Sequence, residues 1–172
     1  MRILNFEMYQ DCVSLFLPNG ETLIIYFTED TGKIIYRDKI RTISRVKHPG
    51  ICLGNDVNDE RFFIHNHYEV GSASVVDESS FTKGMVIVES NEICSNDPIQ
   101  RIHIALDQVI HGKRYHVLNN NCQTLKNKAC NNLNFSEDIS KWTGGILLST
   151  IAVVGIGLLL TQNKGGKRGK KW

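Results

Sequence analysis

The sequence lacks the cysteine patterns that would indicate a metal site or a disulfide framework. Its five cysteines form no C-x-x-C pair and no zinc-ligand spacing, and their odd number leaves at least one free thiol in a monomer. We therefore expect no metal, no other cofactor, and a reducing compartment. There is no internal repeat, and the N-terminal apolar run is too short for a secretory signal.

Acidic residues are absent from the end of the chain. No acid follows Asp138, and five basic residues lie at the very end of the chain: Lys164, Lys167, Arg168, Lys170 and Lys171. Because the whole chain has a net charge of +2, the part without these five carries −3 (+2 less 5). The body of the protein therefore has no nucleic-acid-binding signature, and its basic character belongs to residues 164–172.

Charge is also absent between residues 142 and 163, a stretch rich in Ile, Leu and Val. Such a stretch is long enough to cross a bilayer as a helix, and the basic tail would be attracted to anionic head groups. A buried core helix or a segment lying on the membrane surface is the alternative. Its glycines would permit self-association through close helix contacts. We expect one domain over residues 1–141, a membrane segment over 142–163 and a basic tail over 164–172.

Alternating and β-branched apolar runs predict strands in the first half of the domain. Residues 22–27 and 34–36, separated by the turn-like EDTGK, predict a hairpin or meander. Residues 51–53 and 62–64 flank the polar turn NDVNDE and predict a second hairpin. A further strand is expected at 85–88, whereas Ser79-Ser80 and 91–96 resemble loops.

Two helices are predicted in the second half. Asp97 can cap the first, Pro98 suits its first position, and Gly112 suits its end. The second begins at Cys122, after three asparagines, with apolar residues at spacing four. Strands followed by helices predict an α+β fold in which a small antiparallel sheet packs against helices.

Cys122 is the candidate nucleophile. A cysteine at a helix N-terminus lies near unpaired backbone N–H groups and the positive end of the helix dipole, which favour the thiolate. Its candidate base is His48, and the second hairpin would bring His65 to the same end of the sheet. His67 would share a strand face with His65 and is an alternative third member. Asn121 would cap the helix or contribute to an oxyanion site.

Two sequence blocks resemble the lecithin:retinol acyltransferase-like family, a circularly permuted branch of the NlpC-type papain-like superfamily. HPGICLGN followed by FFIH is similar to the family's histidine block, and YHVLNNNCQTL is similar to its cysteine block. The resemblance spans roughly residues 41–134 and implies a permuted papain-like fold. It implies Cys122 as nucleophile, His48 as base and His65 as the third polar residue. Several family members also carry a C-terminal hydrophobic anchor.

Three features depart from the family pattern. Cys52 stands where tyrosine is usual, Thr124 and Leu125 replace a common His-Phe pair, and the loop between His48 and His65 is longer than in many members. Cys52 in place of tyrosine removes a phenol hydroxyl from the site. Thr124 and Leu125 are expected to alter side-chain packing more than catalytic chemistry.

The expected function is a membrane-anchored thiol acyltransferase or phospholipase-like hydrolase. It would act through an acyl-enzyme thioester on a phospholipid or another acyl lipid. A cysteine peptidase or amidase with the same site is the first alternative, and a non-enzymatic membrane-tethered interaction or effector module is the second. The free thiols favour a catalytic domain facing the cytosol, whereas the positive-inside rule would place the basic tail there instead.

Overall fold

The computed structural model describes residues 1–37, 48–67, 69–116 and 121–133, with the side chain of residue 67 excepted. All of them lie in the first of two units, Met1–Ser136 and Glu137–Trp172. The expected membrane segment 142–163 and basic tail 164–172 lie outside these ranges. In the described part of the chain, no helix combines the length and the apolar character needed to span a membrane.

The described residues form eight strands and three helices. The strands are β1 (Asn5–Met8), β2 (Cys12–Phe16), β3 (Thr22–Tyr26), β4 (Ile34–Arg37), β5 (His48–Asn55), β6 (Arg61–His67), β7 (Ser72–Asp77) and β8 (Ile87–Glu89). The helices are α1 (Glu78–Thr82), α2 (Pro98–His111) and α3 (Cys122–Asn131). Every pairing in the sheet is antiparallel, so the predicted α+β class with an antiparallel sheet is confirmed.

Strand β5 occupies the middle of the sheet. The main path runs β1-β2-β3-β5-β4-β8, and β6 joins β5 and carries β7 beside it. The predicted pairing of residues 22–27 with 34–36 is therefore wrong, although both strands exist. Residues 49–54 of β5 are all buried, and a strand buried on both faces requires neighbours along both edges. Consequently β4 pairs with β5 and β8 rather than with β3.

The second predicted hairpin is confirmed. β5 and β6 pair antiparallel, with Ile51 opposite Ile64 and Cys52 opposite Phe63. A register shift between Cys52 and Gly54 marks a bulge in β5. This pairing brings His48, at the start of β5, to the same end of the hairpin as His65 near the end of β6.

The two faces of the sheet carry separate apolar clusters, because successive side chains on a strand point to opposite faces. The larger cluster joins the sheet to α2 and α3 and includes Ile51, Ile64, Leu106 and Leu125. The smaller one consists of Ile35, Cys52, Phe63 and Phe81, of which Phe81 comes from α1. Each fully buried aliphatic or phenylalanine side chain contributes about 1.5–3 kcal/mol, so both faces stabilise the hairpin that carries the histidines.

Helices α2 and α3 begin where the sequence predicts. The side chain of Asp97 caps α2 by accepting a hydrogen bond from Gln100 N, and Pro98 opens the helix. The short helix α1 was expected to be a loop. The Oδ1 of Asp77 caps it by accepting a 2.7 Å hydrogen bond from Ser80 N. Five residues are too few to show helical periodicity, which is why the Ser79-Ser80 expectation was wrong.

Cys94 and Cys130 form a disulfide, with their Cα atoms 4.7 Å apart. Cys130 was expected to be a packed thiol and Cys94 a core or loop residue, so the pairing corrects the interpretation of Cys130, and Cys12, Cys52 and Cys122 lie outside the disulfide. The two partners are 36 residues apart in sequence. They meet because the loop before α2 lies along the end of α3, where Asn96 donates a 2.7 Å hydrogen bond to the carbonyl of Ala129.

Candidate active site

The N-terminus of α3 positions Cys122. Asn121 is the N-cap, and its Oδ1 accepts hydrogen bonds from Thr124 N at 2.9 Å and from Thr124 Oγ1 at 3.3 Å. Thr124 thus fills a buried capping role at a position where the family pattern has histidine. Because Asn121 is outside the helix and Cys122 is its first residue, the thiol lies beside the first backbone N–H groups of the helix, which lack intrahelical acceptors.

The two predicted histidines contact one another. Nε2 of His48 lies 2.9 Å from Nδ1 of His65, and the rings are nearly perpendicular, at 81°. His65 is 3% exposed, whereas His48 is partly exposed. A hydrogen bond also joins His48 to Cys122. Since Nε2 of His48 faces His65, Nδ1 is the ring nitrogen left for the thiol. Thus, the arrangement brings the three residues together in the order Cys122, His48, His65.

Phe81 packs against both histidines. Its ring centroid is 6.2 Å from that of His48 and 5.6 Å from that of His65, and it stacks on Phe63 at 4.6 Å. Gly50 permits this approach, because a Cβ there would lie 2.6 Å from Cε2 of Phe81. Phe81 therefore restricts the orientation of the rings. The sequence analysis missed it because α1 was expected to be a loop.

Arg37 is a second contributor that the sequence analysis missed. It lies opposite His48 in the β4–β5 pairing, is 3% exposed and donates a 2.7 Å hydrogen bond from Nη1 to the carbonyl of Phe81. Burial lowers the pKa of its guanidinium, whereas the negative charges of Cys122 and Glu69 act in the opposite direction. Cys122 therefore lies within electrostatic range of a buried cation.

Tyr115 belongs to the family-like cysteine block and also interacts with Cys122. Burial raises the pKa of its phenol, and the charge of Cys122 adds to that effect. The backbone N–H of Tyr115 donates a 2.7 Å hydrogen bond to the carbonyl of Gly71. This bond ties the segment before α3 to the turn between β6 and β7.

Cys52, which replaces the family's tyrosine, is a packed thiol. It is fully buried in the Phe81 cluster, and burial raises the pKa of the thiol to about 11. Almost none of it is ionised at neutral pH, so Cys52 does not compete with Cys122 as a nucleophile.

The other candidate positions are less defined. His67 ends β6 and pairs with Ser72, but its side chain lies outside the described part of the chain, so its alternative third role stays a prediction. His103 packs edge-on against Phe6, away from the histidine pair. Over the described residues, no group of three or more His, Cys, Asp or Glu side chains is placed to hold a metal ion.

Comparison with protein-family models, with curated proteins and with solved structures gives no match for this chain. The resemblance to the acyltransferase-like family is accordingly a similarity of the two sequence blocks alone.

Proposed function

We propose that this chain is a thiol acyltransferase or hydrolase that acts on a lipid ester or amide through an acyl-enzyme on Cys122. One observation carries the proposal: Cys122, at a helix N-terminus, is hydrogen-bonded to His48, and Nε2 of His48 is 2.9 Å from Nδ1 of His65. A thiol, an imidazole and a polar group that orients the imidazole are the parts that thiol catalysis requires. The permuted papain-like fold belongs to the same proposal.

In the acylation step, Nδ1 of His48 takes the proton of the Cys122 thiol. For this, the neutral His48 ring carries its proton on Nε2 and donates it to Nδ1 of His65. The thiolate attacks the substrate carbonyl and forms a tetrahedral intermediate, whose oxyanion the backbone N–H of Cys122 can stabilise. The intermediate then collapses, the bond to the leaving alcohol or amine breaks, and the His48 imidazolium returns its proton to that group. A thioester on Cys122 is left.

The second step transfers the acyl group to an acceptor. His48 removes a proton from water, an alcohol or an amine, the acceptor attacks the thioester carbonyl, and the Cys122 thiolate departs. Water as the acceptor gives a lipase or amidase, and an alcohol or amine gives an acyltransferase.

A lipid substrate fits the uncharged segment 142–163 and the basic tail that follows it. These would hold the catalytic domain at an anionic bilayer surface, where acyl lipids are concentrated. Self-association through the glycines of that segment and a cytosol-facing domain belong to this proposal.

Intact-mass spectrometry of the full chain, incubated with phosphatidylcholine vesicles or with a soluble activated ester, tests the proposal. We expect a mass increase equal to one acyl group on the wild type, released by hydroxylamine as a thioester should be. Cys122→Ala should show no increase. Cys12→Ser is the matched control, because Cys12 is a free thiol away from the histidines and should leave the adduct unchanged.

A chain that is acylated on neither substrate, and whose Cys122 does not react with iodoacetamide at neutral pH, would contradict the proposal and favour the tethered non-enzyme. Acylation by a peptide or amide substrate alone would favour the peptidase or amidase instead.

A further inference from the structure

Arg37 is a buried cation that forms no ion pair with a carboxylate of the described residues, although the charge of Glu69 acts on it from a distance. It is 3% exposed, and the described part of the chain places no acceptor within hydrogen-bond distance of its Nε. Within the described residues its guanidinium donates a hydrogen bond to a neutral acceptor, the carbonyl of Phe81. A buried charge is costly unless an anion or a set of hydrogen bonds compensates it. Arg37 therefore requires a negative charge nearby.

The sheet register places Arg37 beside the proposed catalytic pair. Arg37 and His48 are directly opposite partners on β4 and β5, so their side chains lie on the same face of the sheet. His48 is hydrogen-bonded to Cys122. The group that becomes an anion in the proposed reaction is the Cys122 thiol, and its charge acts on the Arg37 guanidinium.

We propose that Arg37 is a positioning residue whose buried positive charge favours the thiolate form of Cys122. This inference rests on the proposed function only in treating Cys122 as the nucleophile. It assigns the stabilisation of the nucleophile to a group outside the Cys122–His48–His65 set. A purely structural role, in which Arg37 only anchors Phe81, is the competing interpretation.

The charged and titratable groups around Arg37 and Cys122 determine how strongly the Arg37 charge favours the thiolate. His48 on β5 is hydrogen-bonded to Cys122, His65 on β6 contacts His48, and the Tyr115 phenol precedes α3 and stays neutral near neutral pH. Glu69, which forms a 2.6 Å ion pair with Lys83, partly offsets the charge of Arg37. A fixed cation here favours the thiolate and disfavours a second positive charge on His48.

The test is the pH dependence of Cys122 alkylation by iodoacetamide, followed by peptide mass spectrometry to separate it from Cys12 and Cys52. We expect Arg37→Met to move the midpoint of the alkylation profile upward by about one pH unit, equal to a roughly tenfold slower reaction below the midpoint. Arg37→Lys, which keeps the charge, should restore most of the difference. Arg61→Met is the matched control, because Arg61 pairs with Glu78 and should leave the profile unchanged.

A folded Arg37→Met protein with the wild-type profile would overturn the inference and leave Arg37 as an anchor for Phe81. If Arg37→Met does not fold, the decision passes to Glu69→Gln, a change at a partly exposed side chain. Removing that carboxylate should lower the midpoint by a few tenths of a pH unit. An unchanged or raised midpoint would then overturn the inference.

Alkylation of Cys122 needs no acyl substrate, so the proposed effect of Arg37 and the proposed acyl chemistry can be disproved independently. A profile that depends on Arg37 without any acyl adduct would retain the charge effect and reject the acyl chemistry. An acyl adduct together with an alkylation profile insensitive to Arg37 would retain the acyl chemistry and reject the charge effect.

Discussion

Nδ1 of His65 lies 2.9 Å from Nε2 of His48, although 17 residues separate them in the chain. The β5–β6 hairpin produces this contact, because antiparallel pairing returns the chain to the end of the sheet where it began. The bond leaves one ring nitrogen of His48 for Cys122. The group that contacts the proposed base is thus an imidazole rather than a carboxylate.

His65→Phe should slow acylation of Cys122. The phenyl ring preserves the packing on Phe81 but removes the acceptor of the His48 hydrogen bond, so the imidazole loses its orientation. We expect a loss of roughly 10²–10⁴-fold in the single-turnover acylation rate, the usual size of a general acid–base contribution. His103→Phe is the control, because His103 contacts Phe6 and not the pair. A rate for His65→Phe within a factor of two of wild type would exclude His65 as the third member.

Gly50→Ala should disturb both stability and activity. The new Cβ would lie 2.6 Å from the ring of Phe81, which is fully buried, so one of the two must shift. Overpacking of this kind typically costs about 1–3 kcal/mol, measurable by urea unfolding. The double variant Gly50→Ala/Phe81→Leu should recover part of that loss. Additive losses in the double variant would show that the two positions are not coupled.

Asp77→Ala should weaken the cap of α1. Burial acts to raise the pKa of the Asp77 carboxyl, but hydrogen bonds from Ser79 and Ser80 outweigh it and leave the pKa lowered. A lowered pKa in the folded state adds stability that is present above the ordinary carboxyl pKa and is lost as the pH falls through the folded value.

The free energy of unfolding of Asp77→Ala should therefore be about 1 kcal/mol lower than wild type at pH 7. The difference should shrink as the pH falls below the ordinary carboxyl range. Urea unfolding at several pH values measures it, with the exposed Glu29→Ala as control. A difference that is constant with pH would assign the effect to something other than the ionised cap.

The Cys94–Cys130 disulfide predicts a specific thiol count. Protein purified without reductant and denatured should show three free thiols of its five cysteines, and all five after reduction. Because the disulfide closes a loop with a sequence separation of 36 residues, its loss should cost about 3–4 kcal/mol in the chain-entropy account. Cys94→Ser should show that loss, whereas Cys12→Ser should not. Five reactive thiols before reduction would contradict the pairing.

Local sequence determined the parts of the site that depend on short-range physics. Asn121 before Cys122 indicated a capped helix start, and the second polar turn indicated the hairpin that joins His48 and His65. Caps and tight turns are satisfied within a few residues, so their signals can be read directly from the sequence. The larger helix, from Pro98, was predicted for the same reason.

Only the tertiary structure determined which other groups lie beside Cys122, His48 and His65, and which cysteines pair. Arg37 reaches the site because β4 pairs with β5, and Phe81 reaches it because Gly50 leaves room. Cys94 meets Cys130 because the loop before α2 lies along the end of α3. Each depends on which strands or helices become neighbours, and hence on the burial of both faces of β5. Periodicity within one segment carries no information about that choice, because the energy that selects it comes from packing between distant parts of the chain.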